Sequence, residues 1–157
     1  MRLISYILNL AYCLFLAVVS PVIFYRLLIL KKYRSGWDQK FLGSLPVRDA
    51  SRPCFWFHAV SVGEVLQLPP LLEELASQNP GVEFVITTTT HTGYAVAREK
   101  FPQHCICYFP LDFSWAVSRA LQRIQPTAVF LVEMEFWPNF VLAADRLKIP
   151  VSIINGR

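Results

Sequence analysis

The chain has 157 residues, 54% of them hydrophobic and 17% charged, with a net charge of +4; that is enough for one well-buried domain and too little for two domains plus a membrane segment. The charge is uneven: from Arg26 to Arg52 run seven Lys/Arg against Asp38 and Asp49, while the rest of the chain carries eight basic against nine acidic residues. The pI of about 9.0 is therefore a property of one flank, which lies beside a long apolar stretch and fits nucleic acid poorly as a partner.

In chain order, Leu3 to Tyr25 comes first, without one charged residue. Roughly 20 apolar residues cross a bilayer core as a helix, so this stretch is long enough. Asn9, Ser20 and Pro21 weaken it, although Pro is tolerated in membrane helices. A cleaved signal peptide is the competing reading, but its apolar core is shorter and no small-x-small site follows. Residues 1–30 are read as an uncleaved anchor helix and 31–53 as a basic juxtamembrane linker. By the positive-inside rule this flank stays cytoplasmic, and it attracts anionic headgroups.

Beyond the linker, strand and helix alternate. Residues 54–60 read as a strand, followed by a helix from Gly63 to Gln78 that must kink or break before Pro69-Pro70. Strand 82–90 precedes a helix from Thr92 to Lys100. Strand 105–111 precedes a helix capped by Asp112 or Ser114 and running to Ile124. Strand 127–135 precedes a helix from Pro138 to about Lys148, and 150–154 form a fifth strand. Short apolar strands alternating with helices predict an α/β fold: a Rossmann-like parallel sheet over 54–157 with helices on both faces and strand order 3-2-1-4-5. Strand 5 has no covering helix after it, so the chain reads as the front portion of a larger protein.

Two carboxylates stand out. Glu64 closes HAVSVGE (58–64) on the first turn after strand 1, and Glu133 stands in LVEMEFWP at the end of strand 4. In the expected strand order both reach the switch-point crevice, where α/β sheets bind ligands. Glu64 fits a general base or simply a favourable charge at a helix N-terminus. Glu133 and Glu135 alternate and are expected on one side of the strand, in a functional or a capping role. The small residues before Glu64 allow close ligand approach. The run TTTTHTG (87–93) offers hydroxyls and a helix N-terminus to phosphate or sugar oxygens, or plain β-propensity and a cap. His58, His91 and His104 lack metal-ligand spacing, and no metal is expected. Cys13, Cys54, Cys105 and Cys107 lack CxxC spacing and read as reduced thiols. Dinucleotide, Walker and nucleophile-elbow motifs are absent.

These blocks, together with the apolar anchor, Gly36-Trp37, Gly43, YFPLDFSWAVSRAL (108–121), LVEMEFWPN (131–139) and IINGR (153–157), resemble the 3-deoxy-D-manno-octulosonic acid (Kdo) transferase family over essentially the whole chain. One departure is Gly156, where the family more often has alanine. The resemblance implies a GT-B glycosyltransferase whose N-terminal domain binds the acceptor, the lipid A precursor, and whose C-terminal domain, absent from this sequence, binds the donor CMP-Kdo. It implies Glu64 as catalytic base and Glu133 as transition-state stabiliser in an inverting reaction without cofactor or metal. His58, Ser61, Gly63, Thr89, Thr90, Thr92 and Gly93 are the expected substrate-binding residues. Lys31, Lys32 and Arg34, with Lys40, suit the acceptor's phosphates. The expected location is the bacterial inner membrane, with the domain facing the cytoplasm. One wall of a cleft cannot align a donor against an acceptor, so these residues alone are expected to be inactive. The rival readings are a non-catalytic membrane-attached lipid-binding module and a related glycosyltransferase with another donor.

Overall fold

Residues 2–28, 35–133 and 135–154 are described by a computed structural model. Lys31, Lys32, Arg34 and the last three residues of the IINGR block lie outside the described residues. Five strands form the sheet: β1 (Cys54–His58), β2 (Glu83–Thr88), β3 (Cys105–Tyr108), β4 (Ala128–Val132) and β5 (Val151–Ile154). All pairs are parallel and the order is β3-β2-β1-β4-β5, the doubly wound order the sequence predicts. Register places His58 opposite Thr87 on one side and Leu131 on the other, so the ends of β1, β2 and β4 lie level at the carboxyl edge.

Strand side chains alternate between two cores. Trp56, Val85, Cys107, Val129 and Leu131 pack with Val117, Leu121 and Ile124 of α6 (Ser114–Ile124) and Phe140 and Ala144 of α7 (Pro138–Arg146). Phe57, Ile86, Ile106 and Val132 pack with Val65 of α3 (Val62–Val65), Leu68 and Leu72 of α4 (Leu68–Gln78) and Ala97 of α5 (His91–Lys100). The expected break before Pro69 is present: α3 and α4 are separate, and both prolines stand in the first turn of α4, where a missing N–H costs nothing.

Much of the stretch read as a basic linker is folded onto the domain. The short helix α2 (Trp37–Leu42) is bracketed by Gly36 and Gly43, both left-handed at φ 74° and 61°. A Cβ would drive Gly36 into the Tyr108 ring and Gly43 into the Ala116 carbonyl, so close approach as well as backbone conformation requires glycine. Leu45 is fully buried. Arg48 pairs with Glu83 at 2.8 Å and donates to the carbonyls of Ile124 and Arg52. It is a staple for the foot of the sheet rather than a free headgroup ligand. Lys40 lies 4.3 Å above the Tyr108 ring, and burial lowers its pKa.

The expected cap of α6 by Asp112 or Ser114 does not form. Phe113 occupies that position without a side-chain bond, and the Ser114 N–H donates to Asn9 Oδ1 at 3.0 Å. Asp112 caps α7 instead, accepting from the backbone N–H of Asn139 at 3.0 Å and of Phe140 at 2.9 Å. Those two groups are buried and have no other acceptor within their own helix.

Helix α1 (Arg2–Leu28) includes Leu3–Val22, long and apolar enough to cross a membrane. Its polar residues have structural uses. Pro21 supplies no N–H to the Ala17 carbonyl, and Ser20 Oγ donates to that oxygen at 2.8 Å. Asn9 and Tyr12 bond to the domain, as described below.

Candidate active site at the carboxyl edge of the sheet

The edge is built on the Thr87 side chain between β1 and β2. Its hydroxyl accepts from Trp56 Nε1 at 2.8 Å and lies 3.2 Å from the Phe57 carbonyl. His58 Nδ1 lies 3.2 Å from the Thr87 carbonyl oxygen. The His58 ring stacks on Phe109 with centroids 3.7 Å apart. These contacts aim Nε2 at Glu135, whose Oε2 is 3.6 Å away, and leave that buried nitrogen without a hydrogen-bond partner. Glu135 Oε2 also accepts from Trp137 Nε1 at 2.9 Å.

Glu64 follows β1 on α3 and forms the acidic half of a capping box with Ser61. Its Oε2 accepts from the Val60 N–H at 2.7 Å; Oε1 accepts from the Ser61 N–H at 3.2 Å and the Ser61 hydroxyl at 2.7 Å. An ionised carboxylate offers about four lone-pair sites, so three are engaged and the one remaining is on Oε2. The residue is buried. The carboxylate is thus rigidly held, with one lone pair not engaged within the protein.

Glu133 is different. The expectation that it alternates with Glu135 along the strand is corrected by the backbone: β4 ends at Val132, and Glu133 turns left-handed at φ 66°. Its N–H donates to Ile154 and its carbonyl accepts from Glu135, which ties the turn to β5. A left-handed non-glycine residue is uncommon. Here the turn exposes the Glu133 side chain, whose carboxylate has no hydrogen-bond partner among the described residues, and sends Glu135 back toward β1.

The threonine run divides in the same way. Thr90 caps α5, accepting from the Gly93 N–H at 3.0 Å, and its hydroxyl lies 3.2 Å from the Val60 carbonyl, to which Thr88 also donates. Gly93 is buried against this stitch; a Cβ there would stand 2.5 Å from Thr88 Oγ1 and 2.8 Å from Thr90 Oγ1. Thr92 is exposed on the first turn of α5, and Thr89 Oγ1 is buried without a partner. Gly63 is exposed, and a Cβ there would meet only Ser61 Oγ, at 3.9 Å. Nothing in the fold demands glycine at that position.

The structure therefore brings Glu64, His58, Ser61 and Thr89 to adjacent strand ends, with Glu133 at the neighbouring end of β4. Sequence reasoning missed the His58–Glu135 pair, for which the only signal is a charged residue inside the aromatic block EFWP. It also missed His91, whose Nδ1 lies 3.2 Å from the Tyr108 hydroxyl, itself 2.8 Å from Ser35 Oγ. Among the described residues no three His, Cys, Asp or Glu side chains converge as a metal site requires. Burial pushes the Cys54 thiol up to about 11.

Comparison with known proteins agrees with the resemblance. The family model described as 3-deoxy-D-manno-octulosonic-acid transferase (kdotransferase) matches residues 35–157. A 3-deoxy-D-manno-octulosonic acid transferase of Chlamydia pneumoniae is 33% identical over 142 residues, covering 89% of this chain and 32% of that protein. A probable mitochondrial 3-deoxy-D-manno-octulosonic acid transferase of Arabidopsis thaliana is 33% identical over 78% of this chain and 28% of its own length. The Haemophilus influenzae transferase is 33% identical over 65% of this chain and 24% of its own. The chain spans about a third of the length of the curated relatives it matches. With the family model covering residues 35–157 and the two candidate carboxylates at neighbouring strand ends, the chain belongs to the Kdo transferase family.

Proposed function

We propose that this chain forms the acceptor side of an enzyme that transfers Kdo from CMP-Kdo to the lipid A precursor at the cytoplasmic face of a bacterial inner membrane. What supports the proposal is the placement, after the adjacent strands β1 and β4 that flank the switch point, of a rigidly held carboxylate with one unengaged lone pair and an exposed carboxylate without a hydrogen-bond partner among the described residues. Glu64 Oε2 takes the proton of the acceptor's sugar hydroxyl as that oxygen bonds to the anomeric carbon of Kdo. The bond from that carbon to the CMP phosphate breaks, and CMP leaves with the electron pair. Attack opposite the leaving group inverts the anomeric centre. Glu133 stabilises the positive charge developing on the sugar, which a carboxylate near the reacting carbon does without a metal ion or cofactor. The reading gives Ser61, Gly63, Thr89 and Thr92 the acceptor's sugar; Thr90 and Gly93 hold the backbone beneath it. Lys31, Lys32 and Arg34 meet its phosphates. The relatives are about three times as long, and the proposal puts the CMP-Kdo site in that additional length, so these 157 residues alone are expected not to turn over.

The test is Glu64→Gln in the polypeptide as the cell makes it. Transfer is expected to fall at least a hundredfold while binding of the lipid A precursor survives. Unchanged turnover would remove Glu64 from the chemistry. Its three internal hydrogen bonds would then describe a cap only, and the non-catalytic lipid-binding module would become the better account.

A further inference from the structure

Helix α1 is amphipathic in an inverted sense. Ser5 and Asn9 are buried and Tyr12 and Leu16 half-buried against the domain, at helical spacing. Leu3, Ile7, Leu10, Leu14, Phe15 and Val18 point away, each at least 60% exposed. The docked face is polar. Asn9 Nδ2 donates to Ser114 Oγ at 2.7 Å, Asn9 Oδ1 accepts from Ser114 N–H and lies 3.3 Å from Asn139 Nδ2, and Tyr12 OH donates to Asp112 Oδ2 at 2.9 Å. Helix and domain therefore share a fixed interface, and the outer face of the helix is left to lipid.

This docking forms a half-open pocket of about 200 Å³ between Tyr12, Phe15 and Leu16 of the helix and Leu111, Asp112, Phe113 and Trp137 of the domain. Its polar groups are already engaged within the protein, Trp137 Nε1–H on Glu135 among them, and only one lone pair, on Asp112 Oδ1, is left. The Tyr12 hydroxyl is spent on Asp112, and the Asp112 carboxylate is shared among Tyr12, Asn139 and Phe140. A water needs two or more polar partners, and a polar ligand would lose its hydration without replacement. Hydrocarbon gains by burial there. The volume is below the roughly 300 Å³ at which pockets begin to take whole small molecules, so the site suits part of an amphiphile. What its walls border on points to which amphiphile. On one side stands Phe15, 64% exposed on the lipid-facing surface of α1. On the other stands Trp137, bonded to Glu135 and with its ring 6.3 Å from that of His58.

We propose that this cavity holds one alkyl chain of the membrane-embedded acceptor, threaded between anchor helix and domain so that the attached sugar emerges at the carboxylate edge. The inference rests on the acceptor reading above and adds to it a specific recognition of the hydrocarbon. The anchor helix is then a wall of the acceptor site as well as a tether.

The experiment uses the polypeptide as the cell makes it, in vesicles, with a lipid A precursor carrying a diazirine in one acyl chain. Photolysis is expected to label the segments around Tyr12–Leu16 and Leu111–Phe113, and unlabelled precursor is expected to compete. Leu16→Trp fills the cavity and should cut labelling about tenfold, raising by a similar factor the ratio of KM for the acylated acceptor to KM for its deacylated sugar. Leu16→Phe, a smaller change on the same face, should give an intermediate effect and guards against simple misfolding. Equal labelling by a diazirine phosphatidylglycerol, undiminished by the precursor, would mean that bulk lipid fills the cavity and would overturn the proposal. So would labelling elsewhere, or an unchanged KM ratio in both variants. Failure of the acceptor reading looks different: wild-type protein would then transfer Kdo to neither acceptor, and the competition between the two photolabels would still decide what the cavity holds.

Discussion

Gly63 and Gly93 stand on the first turns of neighbouring helices under opposite constraints. A methyl group at Gly93 collides with two threonine hydroxyls that are both engaged on the Val60 carbonyl, so relief would break the stitch between the β1 and β2 loops. Gly93→Ala is expected to cost about 1–3 kcal/mol, read as a lower urea midpoint. At Gly63 the methyl meets open space, and the helix prefers alanine by up to about 1 kcal/mol. Gly63→Ala should leave the urea midpoint unchanged or raised while weakening acceptor use about tenfold, the scale of one misplaced methyl group in a pocket. Equal loss of stability in both variants would return Gly63 to a structural role. This division was only half legible. The pattern Ser61-x-x-Glu64 carries the signature of a capping box, so the hydrogen bonds that fix Glu64 were available from spacing, although which lone pair stays open was not. The left-handed turn at Glu133 had no signal, because glutamate carries no preference for that conformation. That turn decides that Glu135, not Glu133, faces His58.

At the scale of elements, Asp112 joins three of them: its own loop, α7 through two backbone N–H groups, and α1 through Tyr12. Burial raises its carboxyl above the ordinary 3.8, more than the hydrogen bonds from Asn139, Tyr12 and Phe140 lower it. A carboxyl whose folded pKa lies above its unfolded one binds a proton on folding. Its contribution to stability is therefore full below about 3.8 and is lost as pH rises through the raised folded value. Wild-type protein should show this acid-range loss in urea titrations, and Asp112→Asn, which cannot ionise, should not. A wild-type advantage over Asp112→Asn that grows with pH would mean that the three donors win over burial. Asp112→Ala leaves buried donors unpaired and should cost about 2 kcal/mol or more at any pH. Strands, helices and the break before Pro69 followed from periodicity and proline chemistry. The cap did not, because capping rules look a few residues along the chain and Asp112 serves a helix that begins 26 residues later.

For the whole molecule, the strand order followed from alternation together with the common doubly wound arrangement, since parallel strands with crossover helices have few allowed topologies. The docking of α1 did not, since Asn9 and Tyr12 in an apolar run look like blemishes in a membrane span until their partners are known. Asn9 and Tyr12 hold one face of the helix against the domain, and the apolar side chains of Leu3–Val22 lie mostly on the exposed face. Yet neither core contains an α1 residue. The domain should therefore fold without the helix. A chain of residues 35–157 is expected to keep its circular dichroism spectrum and a single cooperative urea transition, with stability lowered by about 1–3 kcal/mol. The loss stays modest because Ser114, Asp112 and Asn139, once uncovered, can bond to water, and only their apolar neighbours Leu111, Phe113 and Trp137 are left worse off. Loss of the cooperative transition would make α1 part of the core. A retained transition would leave the helix free for the two tasks proposed for it, holding the domain to a membrane and walling the apolar pocket beside the carboxylate edge.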